Sequence, residues 1–257
     1  MLILLRYSLN QYVPGGLMKR TVTLANYAQF ATNPYYERIL LTTVEVAVIC
    51  TVASLILAFP VAYFLARMRS RIKSVLFILV VFPLLVGNVV RAAGWTAFLG
   101  DNGLLNGALE RLHLIAEPIQ IMHTPMAVMI GITAVVTPYM ILTLQSVLER
   151  IDASVEEAAA NLGASPLTTF MRVTLPLSMP GVIAGTSLVF ILCMNAYATP
   201  LLLGGARFKM MAQAVYDHIE QSQNWPLGAA LAFVLVIVTL AMTALSQRLL
   251  GSPAQRR

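Results

Sequence analysis

The chain has 257 residues, of which 58% are hydrophobic and only 11% are charged, whereas an ordinary soluble domain is roughly 45–50% apolar and about 25% charged. A soluble core of this length would leave too much apolar surface uncovered, so the composition predicts an integral membrane protein. The formal net charge of +6 would suit nucleic acid or an anionic lipid surface, but the basic residues lie between apolar runs, which favours membrane topology over nucleic-acid binding.

Five apolar segments are long enough to cross a bilayer as helices, because a hydrocarbon core of about 30 Å needs roughly 20 mostly apolar residues. Helices are required there because an unpaired backbone polar group cannot be tolerated in hydrocarbon. Arg91 interrupts the second segment near its far end. We therefore predict an all-α integral membrane protein with five spans: residues 39–66, 74–99, the stretch between 123 and 149, residues 177–203, and the stretch between 220 and 248.

The distribution of Lys and Arg predicts the orientation of the spans. Residues 67–73, the short link between the first two spans, hold three Arg and one Lys, and such basic loops stay in the cytoplasm. The link at residues 149–176 and the carboxyl-terminal tail are then also inside. The loops at residues 101–123 and 204–226 face outward.

The same orientation places the amino end outside the cell. Residues 1–5, with the sequence MLILL, look like the stub of a helix, but they are too short for a signal peptide, which needs an apolar stretch of about 7–15 residues. We expect that a preceding span is missing from this reading frame.

The link between the third and fourth spans reads ERIDASVEEAAANLGASPLTTFMRVTLPLSMPG, and its first half has the signals of a short helix. Ser154 is a candidate amino-terminal cap, with Glu157 three residues later completing a capping box. Ala158 and Ala159 favour helix, and Gly163 stands where a left-handed helix end is expected.

The second half of this link predicts another short helix. Ser165 is a good cap and Pro166 fits the first helical position, while Pro176 is expected to block further helix. The sequence thus predicts a compact helix–turn–helix on the cytoplasmic face.

The segment EAAANLGASPLTTFMRVTLP, residues 157–176, resembles the loop signature of type I ABC importer permeases, in which E-A-A and Gly precede an aliphatic residue and Leu-Pro at fixed spacing. Val173 replaces the commoner Ile of that pattern. The residues that match in register are Glu157, Ala158, Ala159, Gly163, Leu175 and Pro176.

The resemblance implies the type I transmembrane fold and a transport subunit that is not itself an enzyme. We name residues 149–180 the coupling loop, because in the family this loop lies in a groove on an ATPase subunit. Implied partners are a second homologous permease, two cytoplasmic ATPase subunits, a periplasmic substrate-binding protein and membrane lipid. The chain would bind no cofactor, and ATP would be used by the ATPase subunits.

The resemblance also implies a domain organisation and a location. Residues 1–38 would form an extracytoplasmic segment with the remnant of a first span, residues 39–250 the permease domain, and residues 251–257 a cytoplasmic tail. Family members normally have six spans. The protein would be a multi-pass component of the bacterial inner membrane.

Three further segments look like the spermidine and putrescine branch of these permeases, which makes a polyamine the best guess for the solute. They are RAAGWTAFLGDNGLLNGAL at residues 91–109, PLLLGG at 200–205 and NWPLGAALA at 224–232. Permeases for aminophosphonates, opines or ferric iron share such segments and stay open as alternatives. A secondary transporter fits less well, since it would need polar coordinating groups at mid-membrane.

Five residues are candidates for the translocation path or an outer gate. Glu45 is the one acid within a predicted span, and a charge there suggests function because it is costly to bury; it would serve a cation path, reach the wet interface or pair with another chain. Arg91 and Trp95 share a helical face and are candidates for anchoring the gate or the interface. Pro138 and Pro200 would bend helices where motion is useful.

The remaining reactive residues indicate no chemistry of their own. His113, His123 and His218 are scattered without zinc-ligand spacing, so no metal site is predicted. Cys50 and Cys193 lie within apolar runs and are expected to pack there. The sequence contains no G-x-x-x-x-G-K-[ST] phosphate loop, which excludes an ATPase built on that motif.

Overall fold

The computed structural model describes residues 2–14, 16–115, 117–206 and 208–250, so the predicted cytoplasmic tail lies outside the described residues. A short antiparallel hairpin of β1, Gln11–Val13, and β2, Gly16–Lys19, lies near the amino end. The α-helices are α1 Leu2–Ser8, α2 Ala25–Thr32, α3 Pro34–Arg67, α4 Ile72–Leu85, α5 Asn88–Leu99, α6 Leu104–Arg111, α7 Pro125–Leu148, α8 Ala153–Asn161, α9 Pro166–Thr169, α10 Leu175–Met194, α11 Ala198–Leu203, α12 Met211–Tyr216 and α13 Trp225–Leu250.

Among the described residues, four helical segments are long and apolar enough to cross a membrane: Pro34–Arg67, Pro125–Leu148, Pro166–Met194 and Trp225–Arg248. They correspond to the first, third, fourth and fifth predicted spans. A fifth candidate is a broken pair, Ile72–Leu85 with Asn88–Arg111. The prediction of a helical membrane fold with about five spans is therefore confirmed.

The second predicted span is not one continuous helix, and this is a correction. Helix α4 ends at Leu85; the next residue, Val86, has an extended backbone with φ of −88° and ψ of 129°, and α5 begins after Gly87. Pro83 lies in the last turn of α4, where its ring weakens the hydrogen bonding of the preceding turn. Apolar composition alone does not reveal such a break.

The fourth predicted span also ends earlier than expected, at Met194 rather than Leu203. The amide of Ala196 donates to the carbonyl of Cys193 at 3.1 Å, which closes the helix. Pro200 is the third residue of the separate helix α11, where a missing backbone N–H costs nothing. The prediction that Pro200 bends a span is therefore wrong, whereas Pro138 does lie inside α7.

The described helices group into two compact units. The first contains Met1–Ile49, Gly87–Ile132 and Leu192–Met242. In it the amide of His123 donates to the carbonyl of Leu203 at 2.9 Å. A Cβ at Gly131 would meet the Leu203 side chain at 2.6 Å, so the start of α7 packs closely on α11.

The second unit contains Cys50–Val86, Thr133–Ile191 and the described part of Thr243–Arg257. Two glycines of α10 allow close packing on α7. A Cβ at Gly181 would lie 2.9 Å from the Val147 side chain, and one at Gly185 would lie 2.7 Å from the sulfur of Met140. This unit contains the coupling loop.

Candidate functional site

The first helix of the coupling loop is capped by Asp152 and not by Ser154, which corrects the predicted capping box. Asp152 has extended backbone angles, and its side chain accepts a hydrogen bond from the amide of Ser154 at 2.9 Å. This bond lowers the pKa of Asp152. Asp and Ser cap helices about equally well, so the sequence DAS contains two candidate caps for the start of α8. With Asp152 as the cap, the residue three positions on is Val155, and Glu157 does not complete a box.

The end of this helix agrees with the prediction for Gly163. Its φ of +82° is left-handed, which L side chains disfavour. The amide of Gly163 donates to the carbonyl of Ala160 at 2.9 Å, and the amide of Ala164 donates to the carbonyl of Ala159 at 3.1 Å. These two bonds form a Schellman motif, which ends α8 at a fixed angle.

The second helix begins as predicted, but it does not stop at Pro176. The hydroxyl of Ser165 accepts from the amide of Thr168 at 3.3 Å, and Pro166 occupies the first turn. A π-helical turn at Phe170–Thr174 then leads directly into α10. Pro176 is the second residue of α10, so the prediction that it blocks the helix is wrong. A π-helical turn changes the local hydrogen-bond register, which accommodates a proline in a continuous span.

The base of α8 is held by Glu156, which the sequence analysis did not select. The Glu156 carboxylate accepts from the guanidinium of Arg67 at 2.7 Å, the hydroxyl of Thr174 at 2.9 Å and the hydroxyl of Tyr63 at 3.0 Å. Burial by itself raises the pKa of Glu156, but these hydrogen bonds and the charge of Arg67 lower it below its usual value. Glu156 is therefore an ionised anchor.

A second ion pair lies at the start of the coupling loop. The ammonium of Lys73 lies 2.7 Å from the carboxylate of Glu149, to which the side-chain amide of Gln145 also donates at 3.0 Å. Chiefly the bond from Lys73, and then that from Gln145, lowers the pKa of Glu149. Two of the basic residues that predicted orientation thus also hold the loop.

The matched signature residues and the cap Ser165 differ in their exposure. Ala159 and Leu175 are half-buried, whereas Glu157, Ala158, Gly163, Ser165 and Pro176 are exposed. Glu157 makes no hydrogen bond or ion pair with a described residue. The same loop also exposes large apolar side chains: Leu162 is 90% exposed, and Leu167 and Met171 are exposed as well. These exposed residues, Glu157, Ala158, Leu162, Leu167 and Met171, are together named the outer face of the coupling loop.

The predicted path and gate residues are spread over both units. Pro138 belongs to the second unit, and the other four to the first. Glu45 is exposed on α3 and pairs with no other described residue. Arg91 donates to the side chain of Asn88, and Trp95 packs edge-on against Phe98 at 5.6 Å.

The two cysteines are packed as the sequence interpretation expected. Cys50 and Cys193 are buried thiols. Within the described ranges, no group of three His, Cys, Asp or Glu residues is arranged to hold a metal ion.

Similar proteins were found at the level of family, sequence and fold. A family model described as "Binding-protein-dependent transport system inner membrane component" matches residues 48–252. The chain is 38% identical over 223 residues to the spermidine/putrescine transport system permease protein PotB of Escherichia coli (strain K12), which covers 87% of this chain and 81% of that protein. It is 32% identical over 214 residues to the molybdenum transport system permease protein ModB of Mycobacterium bovis, covering 83% and 79%.

The fold is also similar to that of a bacterial alginate ABC transporter solved in complex with an alginate pentasaccharide-bound periplasmic protein. The TM-score is 0.71 at 12% identity, and the match covers 88% of this chain and 82% of that one. At this identity the likeness concerns the fold alone.

Proposed function

The chain belongs to the family of binding-protein-dependent transport system inner membrane components, the permease subunits of ABC importers, and we propose that it imports a polyamine with energy from separate ATPase subunits. The resemblance stated from the signature residues is thereby confirmed at the level of the family, and with it the location, a multi-pass protein of the bacterial inner membrane.

The outer face of the coupling loop is the observation that best supports an ATPase partner. The loop exposes large apolar side chains such as Leu162 and also the carboxylate of Glu157, which pairs with no residue in the described part of the chain. Exposed apolar residues grouped in this way mark interaction sites. In this proposal Glu157 forms an ion pair with a basic residue of the ATPase, and the small, exposed Ala158 lets the ATPase subunit approach closely. Glu156, about 100° around the same helix from Glu157, is held by Arg67, Thr174 and Tyr63, so the outer face is presented in a fixed orientation.

The proposed assembly contains this permease, a second homologous permease, two cytoplasmic ATPase subunits and a periplasmic binding protein. The solved relative with a bound periplasmic protein supports the last of these. ATP is bound and hydrolysed by the ATPase subunits, so this chain is a transport subunit without a cofactor. In the proposed division, residues 1–38 are extracytoplasmic, residues 39–250 form the permease domain and residues 251–257 form a cytoplasmic tail.

The polyamine assignment is supported by the identity to PotB over most of both chains. Glu45 supports it physically, because a carboxylate exposed on a membrane helix attracts an ammonium group. The match to a molybdenum permease shows that family membership leaves the solute open. Aminophosphonates, opines and ferric iron remain alternatives.

The test is uptake of labelled putrescine and spermidine by a strain lacking this chain. We expect that the wild-type chain restores uptake, and that it does so only together with an ATPase subunit able to hydrolyse ATP. Labelled molybdate serves as the competing solute. Restored uptake of molybdate alone, or uptake that persists with an inactive ATPase, would contradict the proposal.

Two variants test the coupling loop in the same assay. Glu157→Lys reverses the charge on the outer face, and Gly163→Asp forces a side chain into the left-handed conformation at the helix end. Both are expected to abolish uptake and to weaken co-purification with the ATPase. Arg69→Gln is the control, since Arg69 is exposed and lies outside the loop. This variant should leave uptake and co-purification with the ATPase unchanged. Full uptake by both loop variants would count against the assignment.

A further inference from the structure

The coupling loop is attached to two spans in different ways. Its second helix, α9, continues through the π-helical turn into α10, so the chain itself joins the loop to α10. Its attachment to α3 is noncovalent and passes through Arg67 at the end of that helix. One guanidinium nitrogen of Arg67 donates to Glu156 at 2.7 Å, and the other donates to the carbonyl of Ile151 at 2.8 Å.

Arg67 therefore holds both the side chain of the first turn of α8 and the backbone just before it. Glu156 also accepts from Tyr63, one turn earlier on α3, and from Thr174 in the π-helical turn. A planar guanidinium with two bonds of this kind fixes orientation as well as distance. The carboxylate of Glu156 thus joins α3, α8 and the π-helical turn at one point.

The pair is suited to fixing geometry more than to stabilising the fold. The two side chains keep 21% and 16% of their exposure, and partly solvated ion pairs add little net stability. Apolar packing also joins α3 to the π-helical turn, where Phe59 meets Phe170 edge-on at 5.4 Å. This packing holds the two elements together when the ion pair is removed.

We propose that Glu156 and Arg67 are positioning residues that make α3 move together with the coupling loop when the ATPase displaces it. The inference rests on the proposed function, because it requires an ATPase that drives the loop. Without the pair, movement of the loop still reaches α10 through the chain, but α3 keeps only its apolar contact with the π-helical turn and no longer follows α8. Hydrolysis then continues without productive transport.

The experiment uses the complete transporter reconstituted in liposomes with its binding protein. Glu156→Gln and Arg67→Gln are compared with the wild-type complex for ATP hydrolysis, solute uptake and co-purification of the ATPase. We expect hydrolysis and assembly to be retained while solute moved per ATP falls about tenfold, as for the loss of one charge-assisted hydrogen bond. Arg67→Lys restores the charge without the two-pronged geometry and should recover only part of the loss.

Arg69→Gln is the matched control, since it removes the same charge two residues away from an exposed position; its ratio of transport to hydrolysis should equal that of the wild type. The inference is overturned if Glu156→Gln keeps the wild-type ratio. It is also overturned if hydrolysis, uptake and assembly fall together, since the pair is then a folding contact. A wild-type complex without ATP-dependent uptake would instead overturn the proposed function, and this inference with it.

Discussion

Among single residues, His218 has its charge state set by burial. Its Nε2 atom lies 2.9 Å from the hydroxyl of Tyr36, which is only 4% exposed. Burial lowers the pKa of His218; nearby Asp217 opposes this shift and Lys209 adds to it. The Asp217 carboxylate is itself paired with Lys209 at 2.6 Å, so His218 gains little from it and stays neutral at about pH 7.

This shift predicts loss of stability in mild acid. Above about pH 6.5 the imidazole is neutral in both the folded and the unfolded chain. As the pH falls further, the unfolded chain takes up a proton that the folded chain resists. Stability therefore falls until the pH reaches the lowered folded pKa, by no more than about 1.4 kcal/mol per pH unit and by less where water reaches the ring.

The measurement is the thermal unfolding of the detergent-solubilised complex between about pH 8 and pH 5.5, the range over which a histidine changes charge. His218→Gln cannot titrate and keeps an acceptor for Tyr36. Its unfolding temperature should fall less over this range than that of the wild type. Equal slopes for the two proteins would show that His218 does not cause the acid sensitivity.

The neighbours Glu156 and Glu157 show what the sequence reveals at this scale. Glu157 was found because it belongs to a sequence motif, in which Gly163 and Pro176 follow it at fixed intervals. Glu156 was missed because two of its partners, Tyr63 and Arg67, are far away in the sequence and meet it only through folding. Adjacent residues of a helix point about 100° apart, so the motif glutamate faces outward while its neighbour is held.

At the scale of elements, the two candidate caps of α8 make a direct comparison. Asp152 accepts a hydrogen bond from an otherwise unpaired amide, whereas Ser154 is exposed inside the first turn. Asp152→Ala is expected to fray the start of α8, to speed hydrogen exchange of its first amides and to lower uptake. Ser154→Ala should leave exchange and uptake near wild type. A larger effect of Ser154→Ala would favour the capping box instead.

The long helices were predictable because length and apolarity suffice to identify a span. Their interruptions were not. The break at Val86 and Gly87 depends on an extended residue within an apolar run. Pro176, read as a helix end, is accommodated by a π-helical turn, a register change that composition does not show. Local rules therefore located the helices but not every point at which they stop or continue.

For the whole molecule, hydropathy predicts which segments meet the membrane but not which face of a helix meets lipid, a partner or the solute. The face of α3 around Glu45 is exposed and apolar, with Leu41, Val48 and Ile49 beside the carboxylate. A bare carboxylate in hydrocarbon is costly. In the proposed assembly this face therefore turns toward the second permease and the path between the two subunits.

A cationic solute passing this face would gain from the charge of Glu45. Glu45→Gln keeps the volume and removes the charge, and we expect it to weaken polyamine uptake by about tenfold, as for the loss of one charge-assisted hydrogen bond. Uptake at low substrate concentration should fall most, while co-purification with the ATPase and basal hydrolysis should be unchanged. Labelled putrescine is measured in reconstituted liposomes over a range of concentrations.

Glu37→Gln is the matched control, because Glu37 is an exposed acid in the first turn of the same helix, about 12 Å earlier along its axis at 1.5 Å per residue. If the loss of a negative charge on this helix were enough, Glu45→Gln and Glu37→Gln would lower uptake equally. A local role for Glu45 instead predicts that only Glu45→Gln lowers it. The sign of the effect also tests the class of solute. An oxyanion would be repelled by the carboxylate, so faster uptake by Glu45→Gln would contradict a polyamine and favour an anionic substrate.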